Sequence, residues 1–157
     1  MKNLRRCERG SSSVELALMA PLFALLAVGT IEVGTYMYDG MEVGNGARAG
    51  VQYGAQGSTA SIPATYLDTA GIMAAAQADA KQVTLTRPVA SDVTTYFTCE
   101  NAPGTRYAVT PTCTGTNNHV DTYVQVVAAA SFTPSIAVPG LPSTLTIVRT
   151  AVQQLTP

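Results

Sequence analysis

Charge is scarce in this chain. Of 157 residues only 12% are Asp, Glu, Lys or Arg, about half the usual share, while 46% are hydrophobic. That excludes a disordered protein or a coiled coil, and the length suits one ordinary domain better than two. Histidine is scarcer still. His119 is the only one, in the turn-like stretch TNNHVD, and any Ser-His-acid triad would have to use it. There is no Walker loop, and GNGARAG (residues 44–50) lacks the strand and spacing of a dinucleotide fingerprint. Asn117, Asn118 and Asp121 offer oxygens to a cation, but without a Gly-centred loop they are a weak signal. A zinc site would have His119 alone to add to the cysteines. The expectation is a protein that is not an enzyme, with no cofactor, no metal and no small-molecule substrate.

The charge that is present is unevenly placed. Residues 1–10 hold Lys2, Arg5, Arg6 and Arg9 against Glu8, for +3; residues 11–157 hold five Lys or Arg against nine Asp or Glu, for −4. The body has too few cations to bind nucleic acid through phosphates. The basic decapeptide adjoins an apolar run, as a membrane-orientation signal does. Leu16–Ile31 is free of charge, and past Glu32 small and apolar residues continue to Tyr38. As a helix, these 23 residues would be roughly 34 Å long at about 1.5 Å per residue, enough for a bilayer core of about 30 Å. Tyr36 and Tyr38 would form the far interfacial pair. The N-terminus is expected in the cytoplasm and residues 39–157 outside.

Three readings of this segment compete. A secretory signal peptide would need a small-x-small cleavage site, and none cleanly follows the core. A plain uncleaved anchor, carrying a periplasmic binding or scaffold domain, leaves Glu15 as an accident. The third begins from RGSSSVE, residues 9–15. A cut after Gly10 would make Ser11 the new amino terminus and Glu15 its fifth residue. The freed α-ammonium would pair with a carboxylate five residues along a staggered neighbouring helix, sparing both groups the cost of burial alone in an apolar bundle.

Gly10, four residues, then Glu15, at the border of a basic leader and an apolar helix, resembles the type IV prepilin processing signal. Residues 12–34, SSVELALMAPLFALLAVGTIEVG, resemble the start of TadE-like proteins, minor pseudopilins of tight-adherence (Tad/Flp) pili. The matching positions are Val14, Glu15, Ala17, Leu18, Pro21, Ile31, Glu32 and Gly34. NGARAGVQYG (45–54) and YVQVVAAASFTP (123–134) are similar to later segments of that family, and Leu16 departs from it where an aromatic is usual. The resemblance implies insertion in a bacterial inner membrane and trimming between Gly10 and Ser11 by prepilin peptidase. It also implies assembly with other pilins or pseudopilins and the inner-membrane pilus machinery, with incorporation in the pilus.

Within this frame Glu15, Pro21 and Glu32 are the candidate assembly residues. Pro21 removes a helix hydrogen bond, which membrane helices tolerate. Glu32 reads either as an interfacial carboxylate or as a polar contact to a neighbouring subunit. Arg48, sixteen residues on, is too far along one straight helix to be its partner. Eight of thirteen glycines lie between residues 29 and 57, and Gly40/Gly44, Gly46/Gly50 and Gly50/Gly54 are four apart. On a helix such pairs share a face. They fit close approach of another backbone, or else a frayed helix at the membrane exit.

The expected fold class is α+β, in three parts: a leader (1–10), an apolar transmembrane and assembly helix with a glycine-rich extension (11–57), and an exported domain (58–157). Gly57–Thr65 breaks the first helix. Residues 64–82 read as a second, Ala-rich helix with Leu67, Ala70, Ala74 and Ala78 near one face. Segments 83–86, 93–99, 106–110, 120–132 and 143–152 are Thr-, Val- and Tyr-rich, punctuated by Pro and Gly. They predict a small antiparallel sheet of about four strands packed on the helices. Cys7 lies in the leader and is not preceded by a lipoprotein-type apolar run. Cys99 and Cys113 lie in the exported part, where an oxidising compartment permits a disulfide. Closing that ring of about 15 residues stabilises by about 3 kcal/mol in the chain-entropy model. The abundance of Thr in residues 58–157, nineteen in all, follows from β-propensity and solubility without charge.

Overall fold

In the computed structural model, residues 9–56, 65–115, 118–136 and 142–155 are described, residues 9–11 by backbone alone. The leader up to Glu8 with Cys7, most of the Gly57–Thr65 stretch, and Asn117 therefore lie outside the described residues. The chain forms two units, Met1–Tyr36 and Met37–Pro157. Helix α1, Arg9–Gln56, supplies the described part of the first unit and the opening of the second.

In the described part of the first unit, Leu and Ala are the commonest residues, and they lose little on entering a helix. The helix runs through Pro21 without a break. Thr30 and Thr35 donate their hydroxyls to the carbonyls of Leu26 (2.8 Å) and Ile31 (3.0 Å). This back-bonding lets a polar side chain sit on an apolar helix without needing water.

The second unit is α+β. After Met37–Gln56 of α1 comes a 3-10 turn, Thr65–Leu67, and then helix α2, Thr69–Asp79. Asp68 sets the start of α2 by accepting the Gly71 N–H at 2.9 Å, satisfying one of the donors a helix leaves open. The Gln77 side chain accepts from Leu85 N–H (2.9 Å) and donates to Val83 O (3.2 Å), steering the chain into the sheet. The helix is shorter than the expected 64–82 because a cap and a side-chain clasp end it from outside. Its alanine stripe, Ala70, Ala74 and Ala78, is exposed with Leu67; Ile72, Ala76 and Ala80 are the buried ones.

Five strands follow: β1 Leu85–Arg87, β2 Val93–Cys99, β3 Ala102–Tyr107, β4 Val120–Phe132 and β5 Leu145–Leu155. All pairings are antiparallel. β5 pairs with β4 from Thr122↔Leu155 to Phe132↔Leu145, so it occupies one edge of β4 over almost its whole length. β2 and β1 share the other edge, and β3 pairs outside β2. The bounds of β2 and β4 are those read from the sequence. β3 begins four residues earlier than expected and includes Pro103 and Gly104, residues that had read as punctuation. On an outer strand the missing proline N–H costs no sheet hydrogen bond.

The alternation of β4 places Val124, Val126, Ala128, Ala130 and Phe132 in the core. Val124 and Val126 join Val51, Ile72, Val93 and Leu155 in one cluster, with Tyr53, Tyr66, Met73 and Ala151 around it. The glycine spacing has its explanation here. A Cβ on Gly46 would lie 2.8 Å from Ala76 O, and one on Gly50 would lie 3.4 Å from Ile72 O and Ala76 Cβ. The backbone that approaches is α2 of the same chain. Beside it, buried Asp92 accepts from Arg87 Nε (2.8 Å), from Arg87 Nη2 and from Val89 N–H (3.0 Å), closing the 3-10 turn Ala90–Asp92.

Candidate functional site

The first stretch of α1 is uncovered. Leu16, Leu18, Phe23, Leu25 and Ile31 are each at least 63% exposed, and Met19, Leu22, Leu26 and Val33 are exposed as well. Among the described residues, α1 is the one helix long and apolar enough to cross a membrane, and its most apolar stretch has nothing buried. Leaving that much apolar surface in water is strongly unfavourable, at roughly 25 cal/mol per Å². A surface of this kind therefore belongs against lipid or other apolar helices.

Gly10, Ser11 and Glu15 all lie within the helical span. Glu15 is exposed, and the apolar run begins at the next residue. Glu32 is half-buried, on the same helix face as half-buried Val28 and Tyr36, each four residues apart. Glu15 and Glu32 are seventeen residues apart, about 25 Å along the axis, so the helix does not bring them together. Arg48 is exposed and sixteen residues beyond Glu32.

Away from this helix, Cys99 and Cys113 form a disulfide with Cα atoms 5.6 Å apart. Asn118 braces the enclosed loop: its Oδ1 accepts from Asn101 N–H (3.2 Å) and its Nδ2 donates to Thr114 O (2.9 Å). His119 is 60% exposed, with Nδ1 3.2 Å from Glu100 Oε2 and Nε2 3.1 Å from Asp121 Oδ1. Asp121 Oδ1 also accepts from Gln154 Nε2 at 2.7 Å. Oδ1 of Asn118 and Oδ1 of Asp121 are thus engaged by the protein itself. Among the described residues no three His, Cys, Asp or Glu side chains gather as a metal site would.

Residues 10–52 match the family model described as TadE-like protein. Over that stretch, 43 of 157 residues, the sequence is TadE-like. The match covers the proposed cleavage border, the uncovered apolar stretch and the glycines through Gly50, and it ends inside α1. The match points to a pilus-associated protein, and the apolar stretch it covers is a candidate membrane anchor. No curated protein and no solved structure matches. The α2–sheet portion lies beyond the match and is known through its own geometry. Sequence reasoning missed two features of it: the Tyr53 hydroxyl donating to Asp68 Oδ2 (2.9 Å) and an outer edge of β5 that, among the described residues, has no strand beside it. The second was hinted at by the single charge in LTIVRTAVQQL.

Proposed function

We propose that this chain is a minor pseudopilin of a Tad (Flp) pilus. It is inserted in the bacterial inner membrane with its N-terminus in the cytoplasm and residues 39–157 outside. Prepilin peptidase trims it after Gly10, and it is assembled with other pilins through the first stretch of α1. The observation that carries this reading is an apolar helix surface left uncovered by its own chain, opening on Glu15 directly after a basic leader and Gly10. In this mechanism the leader holds +3 at the cytoplasmic face and withholds an α-ammonium from the apolar phase. Cutting after Gly10 releases that ammonium at Ser11, and Glu15 of a staggered neighbour neutralises it. The match over residues 10–52 supports the family side of this reading.

The test is the mature mass and N-terminal sequence of the protein from cells expressing the pilus system. The wild-type chain is expected to begin at Ser11, and Gly10→Val to keep the leader. Glu15→Ala is expected to be trimmed normally but to be lost from sheared pili. A full-length wild-type mass, or a Gly10 variant trimmed like wild type, would overturn the processing step. Normal incorporation of Glu15→Ala would overturn the pairing.

A further inference from the structure

The sheet treats its outer edges in opposite ways. β3 is short, contains Pro103 and Gly104, and shifts register against β2. β1 is three residues long and runs into Pro88. Brevity, proline and irregularity are the devices that keep a sheet edge from pairing with another chain. β5 has none of them. It is eleven residues long, contains no proline, and pairs with β4 through eleven consecutive partners without a bulge. Among the described residues its other edge has no strand beside it. Its one charge is Arg149, whose side chain reaches across α1, with Nη2 3.1 Å from where a Cβ of Gly40 would stand, while Nη1 donates to Val148 O (3.1 Å), a bond that pairing at this edge would have to exchange.

We propose that the open edge of β5 pairs antiparallel with β5 of a second copy, about a twofold axis at Thr150. The sequence of the strand selects this register. On the outer face Thr150 meets Thr150, Val148 meets Val152, and Thr146 meets Gln154 of the partner. Val148 and Val152 are each 45% exposed in the single chain, and this pairing covers both. On the inner face Leu145 meets Leu155, Ile147 meets Gln153, and Arg149 meets Ala151. The overlap is complete, all eleven residues. Centring the axis on Arg149 would set like charges directly opposite, which is destabilising. Centring it on Ala151 shortens the overlap and separates the valines. A register offset by one residue would continue the buried face of one copy into the outer face of the other. A twofold pair is a closed assembly, a state separate from head-to-tail polymerisation. The proposal rests on residues 145–155 alone, so it stands or falls independently of the pilus reading.

The test uses the full chain in detergent micelles, with Cys7→Ser to remove the leader thiol. Under mild oxidation Thr150→Cys is expected to give a disulfide-linked dimer in most of the protein, because the two Cα atoms at the axis lie about 4.5–5.5 Å apart. Thr146→Cys alone and Gln154→Cys alone are expected to stay monomeric, and a mixture of the two to cross-link. Val148→Lys, at an exposed position, is expected to abolish the Thr150→Cys dimer while leaving the unfolding transition in place. Cross-linking equal at all three single positions, a monomer with Thr150→Cys, or a dimer by sedimentation that Thr150→Cys does not trap would each overturn the proposal.

Discussion

Two stretches of one helix meet opposite surroundings. Up to Tyr36, α1 is rich in large apolar residues, and its described side chains are exposed or half-buried. From Met37 to Gln56 it is rich in glycine, and Gly40, Val43, Gly46, Ala47, Gly50, Val51 and Gly54 are buried. Large side chains project surface toward an environment the chain does not itself provide. Small ones let the chain's own elements come to van der Waals contact. The same helical backbone is thus a candidate anchor in one stretch and a wall of the core in the other, and side-chain size decides which.

The largest expected effect that would break this contrast comes from cavities. Ile72→Ala should destabilise the second unit by about 2–5 kcal/mol, read by chemical denaturation with tyrosine fluorescence. Leu22→Ala should leave that transition where it was. Comparable losses from both would mean the first stretch is part of the core. Next comes crowding. Gly46→Val forces a side chain against Ala76 O and should cost about 1–3 kcal/mol. Gly34→Val meets nothing within 4 Å and should be neutral in the same measurement. A neutral Gly46→Val would show that α1 and α2 do not approach as described.

The smallest effect concerns pH and sharpens the contrast, because it is confined to the second unit. The Arg87 guanidinium, helped by the Val89 N–H, holds the Asp92 carboxyl below its ordinary value against the opposing effect of burial. The Gly71 N–H and the Tyr53 hydroxyl do the same for Asp68. A carboxyl depressed in the folded state adds stability that is fully present above the unfolded pKa, about 3.9, and fades as pH falls through the folded value. The melting temperature of the second unit should therefore drop below about pH 4. Asp92→Asn should flatten that drop and cost about 1–3 kcal/mol at neutral pH. An unchanged acid profile in Asp92→Asn would remove Asp92 as a contributor.

Much of the fold was legible in the sequence. β2 was readable from its Thr, Val and Tyr content, and β4 because its alternation has period two and buries Val124, Val126, Ala128, Ala130 and Phe132. The apolar helix was readable because its signal is composition, which needs no partner. β3 was placed late because Pro103 and Gly104 look like a turn until the strand is known to lie outside β2. The buried face of α2 was not readable either. In an Ala-rich helix every stripe looks alike, and only the glycines of α1 decide which stripe is approached. Of the candidate site, Glu15, Pro21 and Glu32 could be named from residue type and position along one helix, whereas the brace around Cys99 and Cys113 joins a turn and a loop far apart in sequence.

By itself the sequence determined where the chain is apolar, where its charge lies, which segments are helix or strand, and the TadE-like character of residues 10–52. These are local properties, set by neighbours within a few residues. Only the tertiary structure decided that the glycine-rich stretch packs against α2, that Asp92 is buried and bonded, and that among the described residues β5 has a strand on one edge only. Each of these depends on which distant segments become neighbours, a choice made by the packing of the whole core.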